Sequence, residues 1–195
     1  MKIIGMTGGI ACGKTTLCDT LRALGAPVWD ADAVSRSLTA PGGQALPAIW
    51  EAFGDGVFHP DGTLNRKALG ALVFNDAAAR ETLNGLTHPL IYEDMKRFVA
   101  HHRQAGTNAV FLDVPLLYET GYDQYCDAVW CAWIPAETQL ARLMERDGLT
   151  REEALSRMAS QMPVDEKARQ ADQVIDTRGS IEESAALITA LYKNI

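Results

Sequence analysis

Five short apolar runs rich in β-forming residues punctuate the chain, at residues 2–6, 27–32, 109–115, 128–134 and 173–176. Between them lie longer stretches in which apolar residues recur every three or four positions. Uninterrupted apolar runs indicate strands buried on both faces, and strands alternating with helices imply crossover connections, so the pattern predicts a parallel α/β sheet. The first helix places Leu17, Leu21 and Leu24 on one face, with Gly25 just past its end and Pro27 beyond. From Ala33 to Gly106 no strand pattern occurs, and periodic stretches at 64–74 and 89–102 predict a helical insertion. Pro89 suits a first helical turn, after which Ile91, Met95, Phe98 and His102 share a face. Residues 136–147 form another predicted helix. The charged stretch 151–169 that follows reads either as a mobile arginine-bearing lid or as a solvated helical hairpin laced with ion pairs.

Composition narrows the class. At 195 residues, 47% hydrophobic and 22% charged, the chain has the make-up of a soluble globular domain able to bury its own core. A net charge of −7 argues against a general nucleic-acid or anionic-membrane surface, so an anionic ligand must be held locally. Cys12, Cys18, Cys126 and Cys131 contain no C-x-x-C pair and no zinc spacing, which fits free thiols in a reducing compartment. No apolar run reaches about 18 residues, and the N-terminal run is broken at once by glycines, so a cytoplasmic location is expected. His101 and His102 read as an exposed helix end, and Trp29, Trp50, Trp130 and Trp133 as core or interface filler.

The residues after the first strand carry the strongest chemistry. Gly8-Gly9-Ile10-Ala11-Cys12-Gly13-Lys14-Thr15 fits the pattern G-x-x-x-x-G-K-[ST] at every fixed position, between a strand and an amphipathic helix. Such a loop aims successive backbone N–H groups at phosphate oxygens, aided by the positive end of the following helix. Gly8 to Thr16 are therefore the candidate ATP-binding residues. Lys14 reaches the β and γ phosphates, and the Thr15 hydroxyl is a candidate Mg²⁺ ligand. Cys12 is either a small spacer or a thiol activated by the helix N-terminus.

The second run ends Trp29-Asp30-Ala31-Asp32 at the carboxyl end of a strand, where ligands of open α/β sheets bind. One of the two aspartates can accept the proton of an attacking hydroxyl while the other caps the next helix. Asp32 is favoured as the base and Asp30 as the cap, although the roles could be reversed. Asp113, ending the third run, is a candidate water-mediated Mg²⁺ partner or a structural residue. Arg142 and Arg146, one helical turn apart, could cover a transferring phosphoryl group. No Asn-Lys-x-Asp guanine-reading motif is present. A phosphate-loop kinase, a nucleoside-monophosphate or other small-molecule kinase, and an ATP-dependent switch all remain open on these residues.

Longer motifs resemble the dephospho-CoA kinase family. They are Thr7-Gly8-Gly9-Ile10 with Gly13-Lys14, Asp30-Ala31-Asp32 with Arg36, Asp61-Gly62-Thr63-Leu64 with Arg66, and His88-Pro89-Leu90-Ile91, followed by Val114-Pro115-Leu116-Leu117 with Glu119. Gln161, Ala171-Asp172 and Val174-Ile175-Asp176 resemble its C-terminal pattern. The resemblance implies a P-loop fold with a five-stranded parallel sheet. The activity it implies is transfer of the ATP γ-phosphoryl group to the ribose 3′-hydroxyl of dephospho-CoA, the last step of coenzyme A biosynthesis. It further implies a single kinase domain with its core at 1–37, 107–141 and 172–195, a helical CoA-binding region at about 38–106, and a lid at about 142–171. Asp32 matches the family's base and Lys14 its phosphate-binding lysine. Thr7, Asp32, Arg66, His88 and Leu116 fall on the substrate side, and a cap on the Pro89 helix is the alternative for His88. Ala11 stands where the family commonly has Gly, and Cys12 and Thr15 where it commonly has Ser, which predicts a stiffer, more thiol-rich loop.

Overall fold

The computed structural model describes residues 1–195. Its five strands are β1 (Lys2–Gly8), β2 (Val28–Asp30), β3 (Ala109–Asp113), β4 (Ala128–Trp133) and β5 (Gln173–Asp176), in the order β2-β3-β1-β4-β5. β1 pairs in parallel with both β3 and β4, and β4 with β5, so the apolar runs build the parallel sheet they predict. The helices are α1 (Lys14–Ala23), α2 (Ala31–Leu38), α3 (Leu46–Phe53), α4 (Arg66–Asn75), α5 (Ala77–Gln104), α6 (Ala136–Asp147), α7 (Arg151–Ala159), α8 (Val164–Gln170) and α9 (Ile181–Lys193). The chain divides into two compact units, Met1–Trp29 with His101–Ile195, and Asp30–Ala100. No helix is long and apolar enough to cross a membrane.

In the first unit, Ile4, Met6, Phe111, Ala132 and Ile175 of the sheet pack with Leu17 and Leu21 of α1 and Ile188 of α9. The predicted stripe of α1 stops short of Leu24, which caps the helix and is 40% exposed. Two carboxylates finish strands that backbone partners leave open: Asp127 accepts from the Ile3 N–H at 2.8 Å, and Asp172 from the Val129 N–H at 2.7 Å. Trp29 and Trp130 are buried in this unit. Trp133 sends its indole N–H to Asp165 at 2.6 Å.

The second unit is helical, as the insertion pattern predicts, around Leu38, Ile49, Val57, Phe58 and Leu69. Three expectations are corrected here. Pro89 does not open a helix; it lies inside α5, which begins at Ala77. Proline removes one helical hydrogen bond and crowds the carbonyl four residues earlier, a cost of about 3 kcal/mol. Leu83, Leu86, Leu90 and Ile91, packed on the unit's core from both sides of Pro89, carry the helix through. His88 is consequently an exposed mid-helix residue and caps nothing. Trp50 is no core filler either, being 43% exposed with its ring 4.6 Å from that of Phe58.

Candidate active site

β1 ends at Gly8 and α1 starts at Lys14, so residues 9–13 form the turn between them. Gly13, at φ 79°, is the residue from which α1 starts, a conformation that side chains resist and glycine adopts freely. A Cβ at Gly9 would collide with Gln139 Nε2, so that side chain would have to shift. Ala11, at φ 61°, is the one non-glycine residue with positive φ. It occupies that conformation at the very position where a glycine would be expected.

Three side chains far away in sequence grip this turn. Gln139 of α6 donates Nε2–H to the Ile10 carbonyl at 2.9 Å, and Gln161, between α7 and α8, accepts the Ile10 N–H at 3.1 Å. Thr177, just after β5, donates its hydroxyl to the Cys12 carbonyl at 2.7 Å. Gln139 and Thr177 are buried, at 4% and 3% exposure. None of the three was singled out for such a role from the sequence; the nearest signal was Gln161 in the C-terminal pattern.

The Lys14 ammonium forms an ion pair with the Asp113 carboxylate, whose other oxygen lies 3.7 Å from Arg22 Nη2. The sheet register sets this meeting, because Asp113 stands beside Met6 where β3 runs next to β1. The Thr15 side chain is exposed at the first turn of α1. Thr16, in the same turn, accepts the Thr20 hydroxyl at its carbonyl. Cys12 is buried, and that burial pushes its thiol up to about 11, so the thiolate that reactivity requires is suppressed. Burial of the thiol is what the spacer reading of Cys12 expects.

The predicted site residues divide between the two units. Lys14, Thr15 and Asp113 share the first with Thr7, whose buried hydroxyl donates to the Pro115 carbonyl at 3.1 Å, and with exposed Leu116. Asp32, Arg66 and His88 belong to the second. Asp30 ends β2 and caps α2, accepting the Ala33 N–H at 2.8 Å, which leaves Asp32 in the helix's first turn. The segment thus turns helical before Asp32, and the two aspartates do not share a strand face. Arg66, the first residue of α4, donates to the Arg36 carbonyl at 3.2 Å.

Around α6 to α8 the arginines already have partners. Arg142 donates to the Arg178 carbonyl at 3.3 Å. Arg146 forks onto Asp147, which also takes Arg157 at 2.8 Å. The pair holds the Asp147 carboxyl below the usual carboxylate range, through the Arg146 hydrogen bonds first. The hairpin is more than a solvated, charged pair of helices, because Ala154 and Met158 of α7 join Leu140 and Leu143 in a cluster that includes Ile10 and Ala11 of the phosphate loop. In α8 the wholly buried Lys167 ammonium donates to the Pro115 carbonyl at 2.7 Å and lies 2.8 Å from a Glu119 oxygen. Glu119 in turn accepts the Met162 N–H at 2.9 Å.

This site sits in a chain whose residues 2–183 match the model of the dephospho-CoA kinase family. The chain belongs to that family. It is 49% identical over 193 residues to the dephospho-CoA kinase of Symbiobacterium thermophilum, covering 99% of this chain and 81% of the relative. Among solved structures it is similar to TT1252 from Thermus thermophilus, with a TM-score of 0.85 and 32% identity over 100% of this chain and 97% of that one. It is also similar to the dephospho-CoA kinase from Campylobacter jejuni, with a TM-score of 0.69 and 25% identity over 99% and 96%. Membership makes this chain an ATP-dependent kinase with a P-loop fold.

Proposed function

We propose that this chain transfers the γ-phosphoryl group of ATP to the ribose 3′-hydroxyl of dephospho-CoA, giving CoA and ADP. The observation that carries the reading is a complete phosphate loop, with Lys14 oriented by Asp113, in a chain that matches this kinase family over nearly its whole length. Phosphoryl transfer asks a protein mainly for positioning and for charge stabilisation. Residues Gly8 to Thr16 form the loop that holds the phosphates, through backbone N–H groups other than those of Ile10 and Cys12, which the Gln161 side chain and the Gly9 carbonyl accept, and Lys14 balances charge on the transferred group. Arg142 or Arg146 completes that balance from α6, Arg146 after exchanging Asp147 for phosphate oxygens. Asp32 accepts the proton of the attacking hydroxyl.

The donor set suits Mg²⁺, which favours hard oxygen ligands and is held by few protein groups besides phosphates. The exposed Thr15 hydroxyl would be such a donor, and Asp113, which at rest pairs with Lys14, would be the partner through water. When bound, the ion would neutralise charge between the β and γ phosphates. The helical residues 38–106 receive the CoA portion, with Thr7, Arg66, His88 and Leu116 on the substrate side, and residues 142–171 act as the lid over a core of 1–37, 107–141 and 172–195. The reaction belongs in the cytoplasm.

The test is mass spectrometry of a reaction holding the protein, Mg-ATP and dephospho-CoA, with adenylate and shikimate as competing acceptors. One phosphoryl group gained by dephospho-CoA alone is the expected result. Modification of another acceptor, or ADP release with no acceptor modified, would overturn the substrate assignment.

A further inference from the structure

The Ile10 peptide is held on both sides by glutamine side chains, Gln139 at its carbonyl and Gln161 at its N–H. The amide orientation of Gln161 follows from the chemistry, since only its oxygen can accept from an N–H donor. The two glutamines are unequal in setting. Gln139 is buried in α6 and its place is fixed by the packing of that helix. Gln161 is half-buried in the short connection between α7 and α8, and what fixes it is polar. Its neighbour Met162 donates its N–H to Glu119, and Glu119 is held by the ammonium of Lys167, which has no exposure to solvent.

Lys167 also binds the Pro115 carbonyl, which accepts the Thr7 hydroxyl from β1, the strand that leads into the phosphate loop. The connection between α7 and α8 is therefore tied to the loop at two places, directly through Gln161 and by way of Lys167, Pro115 and Thr7. A buried ammonium is costly unless its donors are fully used, and here they are spent on holding this connection in place.

We propose that Gln161 is a positioning residue for phosphoryl transfer: by accepting the Ile10 N–H it fixes the leading turn of the phosphate loop in its binding shape before nucleotide arrives, and couples that shape to the α7–α8 connection. The proposal rests on the kinase reading above. A loop whose N–H groups must converge on an anion binds more tightly when its turn is already set, because ordering is then not charged against binding. Ile10 precedes the loop residues nearest α1, and its own N–H is consumed by Gln161, so its part is to set direction for the N–H groups that follow.

Gln161→Met keeps length and bulk and removes the acceptor. Expected are an ATP dissociation constant raised about five- to tenfold by calorimetry, a similar rise in KM for ATP, an unchanged KM for dephospho-CoA, and a melting temperature lowered by no more than a few degrees. Amide hydrogen exchange supplies a second readout, and its wild-type arm needs no variant. The Ile10 amide should be protected in the nucleotide-free wild-type protein and lose protection in Gln161→Met, while Ile4 and Met6 in β1 keep theirs. Wild-type ATP affinity in the variant, an Ile10 amide that exchanges freely in the wild-type protein, or a melting temperature that falls while the folded fraction keeps wild-type ATP affinity would each overturn the positioning role. Failure of the wild-type protein to phosphorylate dephospho-CoA would instead count against the kinase reading, since ATP affinity and Ile10 exchange are measured without an acceptor.

Discussion

Lys14, the first residue of α1, and Asp113, the last residue of β3, form an ion pair almost closed to solvent, with side-chain exposures of 13% and 7%. The carboxylate gives Lys14 a resting position at the carboxyl end of the sheet, beside the loop where phosphate would sit. Removing the lysine takes away one electrostatic donor, which typically costs about 10²- to 10³-fold in turnover. Lys14→Met should lower kcat/KM for ATP by about that factor. Breaking a buried pair usually costs about 3–5 kcal/mol because one charge is left unpaired. Arg22, 3.7 Å from the other Asp113 oxygen, keeps a cation nearby, so the loss in urea unfolding should fall below that range. A variant with normal ATP kinetics would remove Lys14 from phosphate binding.

Asp30 and Asp32 separate cleanly by substitution. An asparagine at position 30 still offers a side-chain oxygen to the Ala33 N–H and is as good a cap as aspartate, so Asp30→Asn should leave both stability and turnover within about twofold. Asp32→Asn should retain ATP binding and lose turnover by about 10²- to 10⁴-fold, the usual worth of a general base. Steady-state kinetics and ATP calorimetry on both variants decide the matter, and the reverse pattern would exchange the two roles.

Ala11 is held at φ 61°, a backbone conformation that costs an L-residue about 1–2 kcal/mol. Glycine would relieve that strain, at the expense of about 0.4–1 kcal/mol of added freedom in the unfolded chain. Ala11→Gly should therefore be neutral or slightly stabilising in denaturant unfolding, against the usual sign of an Ala→Gly change. A loss of 1 kcal/mol or more, about the cost of glycine inside a helix, would show that Ala11 is not strained.

Burial raises the thiols of Cys12 to about 11 and of Cys126 and Cys131 to about 12, from 9.0. The folded state thus keeps protons that the unfolded chain releases above pH 9. Stability from these groups is complete below pH 9 and is lost as pH rises through about 11 for Cys12 and about 12 for Cys126 and Cys131, by about 1.4 kcal/mol per pH unit for each thiol. The urea midpoint should be level from pH 7 to 8.5 and fall steeply by pH 10.5, and Cys131→Ala should make the fall shallower by one proton. A level profile to pH 10.5 would mean that the thiols ionise in the folded protein.

The chain's pattern made the sheet legible because strands buried on both faces leave uninterrupted apolar runs, and the phosphate loop legible because its chemistry demands fixed residues within eight positions. Pro89 misled, since a local signal for a helix start was overridden by the packing of Leu83, Leu86, Leu90 and Ile91. The strand end and the motif both single out the Asp30–Asp32 pair, while the place of Asp32 inside α2 depends on a cap, Asp30, that the sequence leaves open to exchange. The grips of Gln139, Gln161 and Thr177 on the loop were not read because they join residues more than a hundred positions apart. No periodicity records such a contact. Lys167 stood among charged neighbours in a stretch that looked solvated, yet its ammonium is closed off entirely.

β1 and β2 are not neighbours in the sheet; β3 lies between them and arrives only after the whole of the Asp30–Ala100 unit. Synthesis therefore runs against assembly. The helical unit can close on itself while β1, an apolar run with no partner strand yet made, waits through about a hundred residues for β3 and longer for β4. Pairings of such wide sequence separation fold slowly and leave apolar strands exposed meanwhile. The phosphate loop is synthesised ahead of the residues that grip it, 139, 161 and 177, and can take its final shape only once they have been made.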